Sequence, residues 1–560
     1  MSDVTLETIV SLCKRRGFIY QGSEVYGGLA GTWDYGPLGV QLKRNIMQLW
    51  WKMFVEDRDD MLGVDAAILM NQKVWQASGH VDTFEDPSVE CMNCNARHRV
   101  DKLIDEKDYQ LFIDELSYDF IETYQEIALG EASAEELKSR IGENLKSPIH
   151  KTILNDIKEL PEWKNLSAAR GLILRARRYE GPITQIYLNS NQISCPTCHK
   201  VQWGEPEPFN MMFKTVIGPR FRSIDRKESK GMKAHIEWLN KERELETQFD
   251  LKDNYNELGG FMLYDSQSVS YLRPETAQGI FTNYKNVVDS FYPDVPFGIA
   301  QQGKAFRNEI SPRDFVFRSR EFEQMEIEYF IHEDTWEEAF EAWRKLVWEW
   351  TAALGLPKES VHELEVPESD RAHYSKRTID FEFDFPIGRE ELLGLAYRTD
   401  FDLRNIERAS GKSMEYRPKD GSAPFVPHVI EPSFGLERTI MAVLTAAYTE
   451  DEINGEKRSY LKLPAHLAPV KVAVSPLLKN KPELAEKARE VYKMLKQEFG
   501  NVMYDDNGNI GKRYRRQDEI GTPYCVTIDF DTLTDNTVTV RRRDTTEQKR
   551  VPINELVANL

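Results

Sequence analysis

Residues 306–328 read FRNEISPRDFVFRSREFEQMEIE, with four arginines, six carboxylates and phenylalanines spaced among them. A solvated segment would carry the charges without the rings, and a core strand the rings without the charges. If FRNEI and SREFEQMEIE are antiparallel strands around the loop SPRDFVFR, pleat alternation puts Arg307 and Glu309 on one face of the first. On the second it puts Phe322, Gln324, Glu326 and Glu328 on one face. A guanidinium's fixed fork suits phosphate oxygens, a flat ring stacks on a nucleobase, and a carboxylate accepts from an amine or ammonium. These are the parts of an ATP site that works without a phosphate loop, and the chain contains no GxxxxGK[ST]. A solvated hairpin with cross-strand ion pairs, each worth about 0.2–1 kcal/mol, is the competing reading.

Around this stretch, residues 260–440 have the texture of antiparallel sheet. IDFEFDF, residues 379–385, alternates Ile379, Phe381, Phe383 and Phe385 with Asp380, Glu382 and Asp384, the period of a half-buried strand. Trp336, Phe340, Trp343, Val347 and Trp350 recur at helical spacing before Gly355 and Pro357, a stripe read as core rather than as a ligand cage. Residues 101–190 have helical composition and read as an insertion in a larger domain. After LPAHLAP, the order PVKVAV strand, PELAEKAREVYKMLKQEFG helix, β-hairpin over YCVTIDFDTLTDNTVTVRRRD and closing helix PINELVANL predicts an α/β unit over 466–560.

The 560 residues, 41% hydrophobic and 29% charged, are enough for several buried cores. The N-terminal stretch has no apolar leader and no apolar run reaches about 18 residues, so the expectation is a soluble, cytoplasmic protein with no membrane contact. A net charge of −19 argues against indiscriminate nucleic-acid binding. Any such partner must meet a local patch, for which Lys512, Arg513, Arg515, Arg516, Arg541, Arg542 and Arg543 are candidates, although nearby acids balance them. Four of the six cysteines form CMNC, 91–94, and CPTC, 195–198. Cys91, Cys94, Cys195 and Cys198 can close one tetrahedral structural zinc site if the segment between them loops out, with reduced thiols as the alternative. Cys13 and Cys525 are solitary and read as packing residues.

FRNE, a loop and SREF resemble motif 2 of class II aminoacyl-tRNA synthetases, and PSFGLER, residues 432–438, resembles motif 3. GTWDYGPLG, WQASGHVDTF and YLRPETAQGIF resemble the homodimeric glycyl-tRNA synthetase family along the whole chain. The resemblance implies an α+β fold: a class II antiparallel sheet flanked by helices over 1–465, the helical insertion 101–190, and an anticodon-binding domain over 466–560. It implies activation of glycine by ATP with Mg²⁺, then transfer to the 3′ end of tRNA.

Under that resemblance Arg307 holds the α-phosphate, Glu309 faces the adenine amine, Phe322 stacks on the base and Arg438 meets the γ-phosphate. Arg307, Glu309 and Arg438 are the implied catalytic residues. Asn308, Phe317, Arg318, Ser319, Arg320 and Glu321 belong to the implied ATP-binding segment. So do Glu391, a plausible Mg²⁺ ligand, with Leu392, Gly435, Leu436 and Glu437. Glycine is implied to meet Glu275, Glu431, Ser433 and Arg99, together with Phe322, Glu323, Gln324, Met325 and Glu326. Pro432, Phe434 and Gly435 complete that set, with bulk at Ser433 refusing any side chain.

One departure is Gln72, which stands near the place where motif 1 usually ends in proline; a twofold dimer is still expected. The competing assignments are a prolyl or threonyl enzyme of the same class, and a non-catalytic relative that binds nucleic acid.

Overall fold

The computed structural model describes residues 4–128, 145, 147–164, 166–217, 269–372, 374–453 and 455–560. The middle of the expected helical insertion, 129–144, and the first residues of the expected sheet region, 260–268, lie outside the described residues.

The centre of the fold is a seven-stranded sheet. Its strands are β1 (Met61–Gly63), β2 (Phe297–Phe306), β3 (Glu321–Ile331), β4 (Val361–Glu365), β5 (Arg377–Phe385), β6 (Gly388–Thr399) and β7 (His428–Gly435), in the order β4-β5-β6-β7-β3-β2-β1. All neighbours pair antiparallel except β1 with β2. The hairpin read from 306–328 is β2 and β3, but the ladder stops at Phe306 opposite Glu321. FRNEI is therefore not a strand beyond its first residue. Arg307 N–H donates to the Arg320 carbonyl at 2.9 Å, and the chain between forms a loop that buries Phe315, Val316 and Phe317 in the core. A longer ladder would pull those three side chains into solvent, and Pro312 has no N–H to offer it.

Alternation divides the sheet into two faces. Helix α1 (Ala277–Phe291) covers one end of the first face, packing on Phe297, Ile299, Phe330 and Val429. Helices α2 (Trp336–Ala353) and α3 (Leu436–Ala447), with helix Pro37–Trp51, cover the second. Met325, Ile327, Tyr329, Phe381, Phe383 and Phe434 point into that second layer. β5 alternates as its sequence reads, with Ile379, Phe381, Phe383 and Phe385 buried and the acids between them partly exposed. The tryptophan stripe of α2 is core: Trp343 and Trp350 are fully buried, and Trp336 stacks on Tyr397 at 4.5 Å. The first face remains uncovered from Phe322 to Glu326.

Helices Glu106–Ala128, Pro148–Lys158, Leu166–Ala176 and Gly181–Ser190 share a hydrophobic core with Val89, Cys91, Cys195 and Trp203 of the cysteine segments. Gln72 opens a short helix, Gln72–Ala77, capped by Asn71 Oδ1, which accepts from Lys73 N–H at 3.0 Å.

The C-terminal residues form a second sheet, ordered Val502–Tyr504, Val472–Pro476, Tyr524–Ile528, Thr537–Arg542, Gln548–Pro552. The expected closing helix is absent there. Gln548–Pro552 adds a strand to the preceding ladder, and the few residues after it make only the one-turn pieces Ile553–Glu555 and Val557–Asn559. So short a tail cannot repay helix nucleation. The arginines singled out in this unit are mostly internal ties. Arg513 is buried on the carbonyls of Pro476, Asp506 and Gly508, and Arg543 on those of Gly521 and Leu463. Arg541 makes a bidentate pair with Asp518 at 2.8 and 2.9 Å, Arg516 bonds Asp505 at 2.7 Å, and Arg515 pairs with Glu456. Only Lys512 and Arg542 of that cluster are exposed and outside these pairs.

Candidate active site

The uncovered face is organised in rows across the strands. One runs Asp380, Gly394, Ser433, Glu326, Gln301; a parallel row contains Thr378, Ala396 and Glu431. Two residues on, β7 and β2 contribute Gly435 and Gly303 opposite Gln324. Gly303 has a steric cause: a Cβ there would come within 2.3 Å of the Arg273 guanidinium. Buried Arg273 passes beneath the strand to donate to the carbonyls of Lys304 at 2.6 Å and Ala66 at 2.7 Å. It thereby fixes the segment carrying Glu275 and Thr276 just before α1.

Around Ser433 the wall is strongly acidic. Ser433 Oγ donates to Glu326 Oε1 at 2.8 Å, while Glu326 Oε2 accepts from the Thr276 hydroxyl at 2.5 Å and its N–H at 3.1 Å. Glu431 accepts from Arg398 at 2.7 Å, and Arg398 also grips Asp402 with two bonds of 2.8 and 3.0 Å. Tyr374 lies over that guanidinium, 3.8 Å from its ring centroid. Glu275 faces His80 Nε2 at 3.2 Å, and among the described residues no donor reaches its other oxygen. Among the described residues, Glu275, Glu326, Glu328, Glu431 and Asp402 thus outnumber the basic groups Arg398, His80 and Arg307 around them. Burial works against charge on Glu275, but His80, with Arg398 and Arg307 behind it, holds the carboxyl at about 2. Burial raises Glu326, with Glu275 adding to the effect, and pushes Glu431 up to about 8 despite Arg398. A pocket with this excess of carboxyl groups is built to receive a small cation such as an ammonium. The cavity it opens into is about 270 Å³.

A second cavity of about 260 Å³ adjoins it, and Arg307, Gln324, Glu391 and Ser433 line both. Its walls include Phe322, Glu309, Phe317, Arg318, Ser319, Leu392, Gly435 and Arg438. The Arg307 guanidinium sits between the Phe84 and Phe322 rings at 5.4 and 5.3 Å, with Nε donating to the Pro274 carbonyl at 3.1 Å. Arg438 lies over Phe317 at 4.6 Å and pairs with Glu391 at 2.8 Å, and this neighbour is the main cause that holds the Glu391 carboxyl below its usual range. Aromatic walls and four arginines, Arg99, Arg307, Arg318 and Arg438, make a cleft for a nucleotide polyphosphate.

Other residues named from the sequence point elsewhere. Glu323 and Met325 lie on the opposite face, Glu323 paired with Lys43 and Met325 in the core, because strand alternation separates them from Phe322, Gln324 and Glu326. Pro432 and Phe434 alternate away from Glu431 and Ser433 in the same way, and Phe434 packs on Trp50 and Phe54. Glu321 pairs with Lys304, and Leu436 is core. Arg320 ties the loop to the carbonyls of Ala30 at 3.0 Å and Glu309 at 3.2 Å. Asn308 N–H bonds the Met211 carbonyl at 2.8 Å. Glu437 touches the nucleotide cleft, but its carboxylate receives the Glu323 N–H at 2.8 Å and the Tyr35 hydroxyl at 3.2 Å, binding α3 to the sheet. Arg99 reaches the nucleotide cleft rather than the acidic pocket, held by Asp86 at 2.6 Å and by Asp101.

The four cysteines meet as the CxxC spacing anticipates. Each pair forms the same knuckle: Cys91 N–H bonds Ala96 O and Asn95 N–H bonds Cys91 O, while Cys195 N–H bonds Lys200 O and His199 N–H bonds Cys195 O. Asn95 and His199 take the left-handed conformation that closes each turn, at φ 58° and 59°. All four sulfurs lie within 4.8 Å of one another. A Zn–S length of about 2.3 Å in a tetrahedron demands sulfurs roughly 3.8 Å apart, so these residues fit a structural zinc ion. Purified protein is expected to carry about one zinc per chain by elemental analysis. Cys94→Ser should reduce that content by more than half; full occupancy in the variant would reject a four-thiolate site.

Comparison with known proteins bears on this arrangement. Residues 261–447 match the family described as tRNA synthetase class II core domain (G, H, P, S and T), and residues 471–560 match the anticodon binding domain. The glycine–tRNA ligase of Clostridium tetani is 41% identical over 554 residues, covering 99% of this chain and 97% of the relative. That of Deinococcus radiodurans is 41% identical over 583 residues, covering 99% and 98%. The chain belongs to the glycine–tRNA ligase family. It is a class II synthetase with an α+β architecture. No described helix is long and apolar enough to cross a membrane.

Within that family frame, several side chains of the site lay beyond sequence reasoning: His80, Arg398, Asp402 and Asp380. A signal for two of them was present in AYRTDFDL, where Arg398 and Asp402 stand four apart. Nothing in the sequence links that pair to Glu431, which comes from another strand.

Proposed function

We propose that the protein attaches glycine to tRNA(Gly) in protein synthesis, with ATP as co-substrate. The reading is carried by one observation: an acidic pocket floored by Ser433 opens directly into an arginine-lined cleft, with Arg307 at the junction. Glycine's ammonium meets Glu275, Glu326 and Glu431, and its carboxylate attacks the α-phosphate beside Arg307, giving glycyl-adenylate and pyrophosphate. The developing phosphate charge is stabilised by a fixed guanidinium in aromatic surroundings. Phe322 stacks on adenine, Glu309 takes its amine, and Arg438 meets the terminal phosphate. Glu391, a hard-oxygen donor, would hold the Mg²⁺ that accompanies ATP. Residues 1–465 act as the catalytic unit, 101–190 as an insertion in it and 466–560 as the anticodon-binding unit. The protein works as a cytoplasmic homodimer.

The test is ATP–pyrophosphate exchange with purified protein across a panel of amino acids; glycine alone should support it, whereas exchange with proline or threonine, or with none, rejects the assignment. Selection operates by refusal, because glycine has no side chain to grip. The Ser433 hydroxymethyl, pinned by Glu326, occupies the space a Cβ needs. Ser433→Gly is expected to raise alanine-dependent exchange about tenfold over wild type, the scale of one methyl in a pocket. Alanine activity at background, with glycine activation retained, would place the exclusion elsewhere.

A further inference from the structure

The acidic cavity is larger than glycine requires. Five non-hydrogen atoms, each given at most the roughly 30 Å³ of a liquid water, need no more than about 150 Å³. The cavity measures about 270 Å³ and continues past Ser433 over β6 and β5 towards the loop that carries Asp370, Arg371 and Tyr374. Its floor there is bare: a Cβ built on Gly394 meets nothing nearer than Asp380 Oδ1, at 3.8 Å. Asp380 is also exceptional among the carboxylates of that wall. Glu275, Glu326, Glu431 and Glu391 are held by His80, Thr276 with Ser433, Arg398 and Arg438, and Asp370 accepts from Ser369 at 2.7 Å. Among the described residues no donor reaches Asp380.

The geometry points to Asp380 as the proton acceptor of the transfer step, with the space over Gly394 taking the ribose of the tRNA 3′-terminal adenosine. This rests on the function proposed above. Strand spacing of about 4.8 Å puts Asp380 roughly 10 Å from Ser433, two strands away, so a glycyl group over Ser433 and a sugar over Gly394 fill the interval. In the step, the 3′-hydroxyl oxygen attacks the carbonyl carbon of glycyl-adenylate and its proton passes to the Asp380 carboxylate. The carbonyl–oxygen bond to phosphate breaks with its electron pair, AMP leaves, and Asp380 returns its proton to solvent. The groups facing Asp380 are Glu382 on its own strand, Glu391 on β6, Arg438 on α3, and Asp370 and Arg371 on the loop. Burial, followed by Glu391 and Glu382, pushes the Asp380 carboxyl up to about 7, with Arg438 opposing.

The experiment compares two rates in wild type and Asp380→Asn: glycine-dependent pyrophosphate exchange, and single-turnover transfer from preformed enzyme-bound glycyl-adenylate to tRNA. The ratio of transfer to exchange is expected to fall about 100-fold in the variant, the usual worth of a positioned base. An unchanged ratio, whether both rates fall together or neither does, overturns the proposal. Wild-type exchange reports separately on the activation reaction, so a failure of the functional reading is distinguishable from a failure of this one.

Discussion

Arg307→Ala is expected to lower glycine-dependent pyrophosphate exchange about 1,000-fold, the upper range for removing one preorganised donor from a developing oxyanion. The guanidinium lies between two phenyl rings and spends one donor on the Pro274 carbonyl. Among the described residues it makes no ion pair, so its charge is held for a ligand at the junction of the two cavities. The rings exclude water from its faces, which strengthens its field at the phosphate. Arg307→Lys keeps the charge but loses the fork, and should recover only part of the rate. Circular dichroism and a thermal melt should show the fold retained, because the one bond lost, to the Pro274 carbonyl, is worth only about 1 kcal/mol. A folded Arg307→Ala protein with near-native exchange would remove Arg307 from the chemistry.

Arg398→Met is expected to have the largest effect on stability, about 3–5 kcal/mol, because it leaves buried carboxylates without their partner. Arg398, Asp402 and Glu431 are all nearly inaccessible, and the guanidinium supplies three bonds to the two acids. The sign of the pH dependence follows from Glu431. Its folded value, pushed up by burial to about 8, lies above that of an exposed carboxyl, so its ionisation opposes folding and protonation relieves that cost. Without Arg398 the folded carboxyl rises further. The deficit of the variant should therefore stay level between pH 5 and 8 and grow above about 8, where the wild-type carboxyl ionises beside Arg398 and the variant's does not, read from urea unfolding at several pH values. A loss below about 1 kcal/mol, or one independent of pH, would mean that the acids find another partner.

Much of the scaffold could be read locally. IDFEFDF alternates in the structure as it does in the sequence, and the α2 tryptophans are core because helical spacing puts them on one face. The cysteine knuckles follow from CxxC, whose spacing turns both thiols to one side. Failures occurred where a residue's neighbours come from elsewhere. The arginines of IGKRYRRQDEIGTP and VRRRD looked like a basic patch, yet Arg513, Arg541 and Arg543 bond groups 5 to 80 residues away. Glu323 and Met325 fell into a contiguous run named as binding, although a strand shows only every second side chain to one cavity.

By itself the sequence determined the strand periods, the helix with its aromatic stripe, the paired cysteine turns and the kinds of group brought near residues 306–328. Each of these depends on spacing within a few residues, where backbone geometry allows one answer. Only the tertiary structure decided that Glu275, Glu326 and Glu431 share one pocket with Arg398 and His80, and that Asp380 faces it across a bare Gly394. Glu275 and His80 are brought in by a loop and a short helix, and the rest are set by the register of four strands, where a shift of one residue would turn each of those side chains to the opposite face.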